Sequence, residues 1–96
     1  MDSATVFEMR KKAKELEGNL KLNKLNEILN IANLLYKEQP YDEWNQRALG
    51  WTLIDLCKFF ISINNFNQAA IYLKQLLSIN FDIKDEKLAE GGRRRI

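Results

Sequence analysis

The sequence predicts an all-α domain, and three observations carry that reading. Only four glycines and one proline interrupt 96 residues. No alternation of apolar and polar residues persists long enough to make a strand. Apolar residues instead recur every three or four positions along most of the chain, the spacing that gives a helix one buried face. Ninety-six residues make one domain with a single core. The expected organisation is a helical domain over residues 1–90 and a basic tail over 91–96.

The first helix is predicted from about Ala4 to Glu17, with Ser3 as cap and Val6, Met9, Ala13 and Leu16 inward. Gly18-Asn19 is expected to end it. The second runs from about Leu22 to Lys37 and buries Leu22, Leu25, Leu29, Ala32 and Leu35 or Tyr36. Pro40 then blocks continuation and biases Gln39 away from helix. Asp42 caps a third helix reaching about Ile63, with Glu43 in its first turn, where negative charge is favoured. Trp51 to Ile63 is apolar nearly all round, so this helix must be covered on several sides and is the central element. Asn64-Asn65 reverses the chain, since asparagine tolerates the backbone angles of a tight turn. A fourth helix follows from about Asn67 to Ile79. A short fifth, about Lys84 to Glu90, is capped by Asp82 and stopped by Gly91-Gly92.

Composition narrows the function. The apolar fraction of 46% and charged fraction of 29% suit a soluble globular protein. A formal charge of +2 does not by itself argue for nucleic acid or a membrane. The single Cys57 excludes an internal disulfide, and with no histidine a conventional zinc site has no ligand set. One thiol and no secretory leader pattern at Met1-Asp2-Ser3-Ala4-Thr5 point to a cytoplasmic setting. No metal and no cofactor is expected. Nor is catalysis: the commonest general base is missing, Cys57 reads as a small core residue, and Asp42-Glu43 and Asp82, Asp85 and Glu86 suit helix starts.

Around the Asn64-Asn65 turn, Phe66, Ala69, Ala70, Leu73, Leu76 and Leu77 form an apolar stripe, with an alanine three residues after the turn aromatic. This resembles the second helix of a tetratricopeptide repeat (TPR). The third helix places Leu53, Leu56, Cys57 and Phe60 at that family's first-helix core positions, with Leu53 and Cys57 replacing the usual tryptophan and glycine. The first unit matches more loosely, through Asn23, Leu25, Ile28, Leu29, Tyr36 and Pro40. The second-helix endings, Pro40 and Phe81, lie 41 residues apart, against a repeat of about 34. A third helix lengthened over Asp42 to Leu49 accommodates most of the excess. The resemblance implies two tandem TPR-like hairpins, four antiparallel helices in all, plus the short C-terminal helix. It also implies a non-catalytic protein-binding module, in which Phe66 plugs the turn and Ala69 admits a close partner helix.

On the third helix Trp51, Ile54, Asp55 and Lys58 fall on one face, and Phe7, Arg10 and Lys14 have matching spacing on the first. By the resemblance these faces line a peptide-binding groove. Trp51 and Phe7 would be the flat anchors, and Arg10, Lys14 and Lys58 would hold acidic side chains or a terminal carboxylate. The competing reading packs Trp51 and Ile54 against the first helix or a second subunit and leaves Lys58 in water or on Asp55. Asn19, Asn23, Asn26, Asn30 and Asn33 are spaced at helical intervals, either as a hydrogen-bonding row or as a solvated face. Arg93, Arg94 and Arg95 are a basic cluster, suited either to phosphates and acidic partners or to solubility. The expected partner is thus a protein or peptide, in an adaptor or small regulatory subunit. One alternative is a homodimeric assembly protein closed through Trp44, Trp51, Phe59 or Ile63. Another is a small phage or mobile-element accessory factor docking on a nucleoprotein, with direct nucleic-acid binding not favoured.

Overall fold

A computed structural model describes residues 2–79 and Phe81. Among them are four helices and no strand: α1 (Ser3–Ala13), α2 (Gly18–Glu38), α3 (Glu43–Ser62) and α4 (Phe66–Leu77). The expected fifth helix, the Arg93, Arg94 and Arg95 cluster and their flanking glycines lie outside the described residues. Helix α3 packs against α1, α2 and α4, and α1 also packs against α2. The prediction that the most apolar helix sits at the centre therefore holds. Its inward residues Ala48, Leu49, Leu53, Leu56 and Phe60 meet Val6 and Ala13 of α1, Leu25, Ile28 and Ala32 of α2 and Ala69 of α4 in one buried cluster.

Local chemistry explains each boundary. Helix α1 is capped by Asp2 rather than Ser3, because the Asp2 carboxylate accepts the Thr5 amide at 3.1 Å from an extended backbone. That amide bond, helped by the Thr5 hydroxyl, holds the Asp2 carboxyl below its ordinary value of 3.8. A folded-state value below the unfolded one makes the cap favour the helix above that value, the benefit being lost as pH falls through the depressed one. The Thr5 amide should accordingly keep its hydrogen-bonded NMR shift at pH 3.8 and lose it on further acidification. In Asp2→Ala the pH dependence of that shift should be absent, while the bond from the Thr5 amide to the carbonyl of residue 2 remains.

Helix α1 stops at Ala13, a turn earlier than predicted, and the chain tightens into Glu15–Lys12 and Leu16–Ala13 amide-to-carbonyl bonds. Gly18 does not terminate α1. It sits at φ +58° as the first residue of α2, so that helix starts four residues before the predicted Leu22. The α2–α3 connection is fixed by buried polar groups that periodicity does not reveal. The Asn45 side-chain amide donates to the Leu35 carbonyl at 3.1 Å, Gln46 Nε2 donates to the Pro40 carbonyl at 2.8 Å, and Asp42 caps α3 by accepting the Asn45 amide, as expected.

The α3–α4 turn follows its sequence. Asn64 takes φ +61°, the Asn64 amide returns to Ile61 and the Asn65 amide to Phe60, closing the helix end with a paired six-residue motif. The Asn65 side chain then caps α4 on the Gln68 amide. The fourth helix ends at Leu77, two residues short of the prediction, where Ser78 Oγ–H donates back to the Gln75 carbonyl. The face of α4 that meets α3 is a correction. Ala69, Tyr72 and Leu76 pack inward, Tyr72 stacked on Phe60 with centroids 5.7 Å apart. Phe66 does not plug the turn: it is 61% exposed, and Ala70, Leu73 and Leu77 are exposed with it.

Candidate functional site

Arg10 and Asp55 organise the region where the groove was expected. Arg10 Nε donates to Asp55 Oδ2 at 2.6 Å and its Nη2 to Oδ1 at 3.3 Å, a two-pronged bond joining α1 to α3. Both side chains are largely out of water, at 13% and 19% exposure. The Arg10 guanidinium also lies 5.9 Å from the Phe7 ring centre and 5.5 Å from that of Trp51. Arg10 and Asp55 are therefore spent on each other. The expected role of Arg10 as a free clamp for an acidic ligand is corrected, and Asp55 is held by Arg10 rather than Lys58. Phe7 packs edge-on against Trp44 with centroids 6.3 Å apart, so it is a wall of the fold rather than an open anchor.

Residues of the expected groove line two separate clefts. One, of about 440 Å³, opens where the α1–α2 turn meets the C-terminal half of α3. Arg10, Lys14, Asp55 and Lys58 line it, Lys21 adds a cation and Glu17 a carboxylate, over an apolar floor that includes Leu25, Phe59 and Ile63. Among the described residues, Lys14, Lys21 and Lys58 have no carboxylate partner. Lys21 and Leu25 were missed because they come from α2, and no spacing rule links them to α1 or α3. The other cleft, about 450 Å³, takes Trp51 and Ile54 together with Gly50, Leu76, Leu77 and Phe81. Trp51 is 47% exposed, meeting the first helix through the Arg10 guanidinium over its ring.

Gly50 has a specific purpose there. A Cβ at this position would stand 2.9 Å from the Phe81 ring, so the absence of a side chain lets that ring lie on α3. Cys57 is inert in this setting: burial pushes its thiol up, and Sγ–H points to the Ala69 carbonyl at 3.3 Å. Among the described residues no group of His, Cys, Asp and Glu side chains has the geometry to hold a metal ion, and no helix is long and apolar enough to cross a membrane.

The asparagine row behaves mostly as a solvated face. Asn23, Asn26 and Asn30 are exposed, while Asn33 is drawn into the fold as its Oδ1 accepts from Gln75 Nε2 at 3.2 Å. The four proposed seam residues do not share a face. Phe59 and Ile63 line the cationic cleft, Trp51 the apolar one, and Trp44 a third beside the start of α3. No protein-family model, curated protein or solved structure matches this chain, and the tetratricopeptide resemblance rests on its own residues.

Proposed function

We propose that the chain is a non-catalytic protein-interaction module, built as two tandem TPR-like hairpins, α1–α2 and α3–α4. It would bind an extended peptide carrying acidic and apolar residues, in an adaptor or small regulatory subunit. The observation that carries this is the cleft's excess of cations: Lys14, Lys21 and Lys58, none of them paired to a carboxylate among the described residues, stand with Glu17 around an apolar floor between the two hairpins. Three unpaired cations attract carboxylates, and the floor gives an interleaved apolar side chain somewhere to be desolvated. The Arg10–Asp55 bridge supplies rigidity rather than affinity, holding α1 and α3 at a fixed spacing so that the cleft exists before the ligand arrives.

The test is titration of labelled ten-residue peptides alternating Glu with Leu or Phe, followed by fluorescence anisotropy at two salt concentrations. Lys14→Glu combined with Lys58→Glu should weaken binding by about tenfold or more and remove most of its salt dependence. Both sites are exposed, so the variant should retain wild-type helicity. Equal affinity of the variant and the parent would sink the proposal. A homodimer is a second reading, favoured by the exposure of Trp51 and Leu77 beside the apolar cleft. Light scattering across a concentration series separates the two.

A further inference from the structure

Beyond α4 the chain is fastened back onto α3 by two side chains. After Leu77 the Ser78 and Ile79 amides donate to the Gln75 and Leu76 carbonyls at 3.1 and 3.2 Å, each reaching three residues back. Ile79 is 8% exposed and belongs to the core cluster. Phe81 follows two residues later with 43% of its surface open. Its ring rests where Gly50 has no side chain. A Cβ there would stand 2.9 Å from Cζ and 3.2 Å from Cε1 of that ring, too close to coexist with it, whereas Leu76 Cδ1 would be an ordinary 3.6 Å away. Glycine inside a helix costs stability relative to alanine. Position 50 accepts that cost, and the ring gains its seat.

Ile79 also borders two openings. It lines the cleft of about 450 Å³ with Gly50, Trp51 and Ile54, and another of about 400 Å³ with Asn33, Tyr36 and Leu49. Among the described residues, two turn bonds, one buried side chain and one seated ring hold this segment down. A segment with so few anchors opens by itself, at a free energy well below that of global unfolding. We infer that Ile79 and Phe81 form a strap, latched on Gly50, that opens while the four helices stay folded. Closed, it keeps the two clefts apart, and the Phe81 ring covers α3 at Gly50. Open, it joins them across Leu49 and Gly50 into one apolar surface. None of these residues lines the cationic cleft, so the strap is independent of peptide binding there.

Amide hydrogen exchange of the full chain, followed by NMR at several low urea concentrations, reads this opening directly. The Ile79 amide should exchange at least about tenfold faster than the Leu53 and Leu56 amides, with a much weaker dependence on urea. Gly50→Ala, whose Cβ displaces the ring, and Phe81→Ala, which removes it, should each speed Ile79 exchange by about threefold or more. The Ala69 amide, bonded to the Asn65 carbonyl at the other end of α4, should keep its rate. Combining the two substitutions should add nothing to Phe81→Ala alone, because the latch is already gone. Ile79 exchanging with Leu53 and Leu56, at one rate and one urea dependence, would overturn the inference, since the segment would then open only with the whole fold. So would an Ile79 rate that neither substitution changes, since the ring would then latch nothing.

Discussion

Arg10→Ala is expected to destabilise the chain by about 2–3 kcal/mol, a large share of the stability available to a domain of this size. The cause is the carboxylate left behind. Asp55 has 19% of its side chain exposed and loses two charge-assisted bonds at once. The guanidinium also covers two aromatic rings, so the substitution uncovers parts of Phe7 and Trp51 as well. Asp55→Asn should cost less, because its side-chain oxygen still accepts from Arg10. Replacing both partners by apolar residues, Arg10→Met with Asp55→Leu, should recover much of the loss, since neither charge is then stranded. Urea unfolding of the parent and the three variants checks this order. A change below about 0.5 kcal/mol for Arg10→Ala would show that water screens the pair and that it does not brace α1 against α3.

That bridge also marks where the sequence stops being legible. Helix termini set by one residue and its near neighbours were readable: Asp42 caps α3, and Asn64 takes the left-handed conformation that ends it. The centrality of α3 was readable because a helix apolar on several sides needs several neighbours. Contacts between distant residues were not. Arg10 and Asp55 are 45 positions apart, and spacing alone places Lys58 nearer to Asp55 than Arg10. The guanidinium fork matches a carboxylate in two places and a lysine cannot.

Two local misreadings have equally physical origins. Glycine serves both to stop a helix and to begin one from a positive φ, and Gly18 does the second. In α4 two apolar stripes lie side by side, one through Ala69, Tyr72 and Leu76, the other through Phe66, Ala70, Leu73 and Leu77. Periodicity gives both equal weight. The small Ala69 and the Tyr72–Phe60 stack decide which stripe meets α3, and the excess becomes open surface. The candidate binding residues are thus spread over separate surroundings. Lys14 and Lys58 line one cleft together with the paired Arg10 and Asp55, Trp51 and Ile54 line another, and Phe7 lines neither but packs on Trp44.

Leu53→Ala should produce the largest loss, about 3–4 kcal/mol. Leu53 is fully buried on α3, the helix that all three others touch. A cavity at the centre of a four-helix fold is difficult to collapse, because closing it would need several helices to shift together. Against a total stability of about 5–15 kcal/mol, and nearer the lower end at this chain length, much of the cooperative unfolding transition would move towards ambient temperature. Leu77→Ser removes a leucine from the same chain but at 77% exposure, so its cost should stay within about 0.5 kcal/mol. Calorimetric scans of the two variants give the contrast directly. A large loss for Leu77→Ser would mean that its side chain, and with it the cleft beside Trp51 and Ile54, is covered in solution.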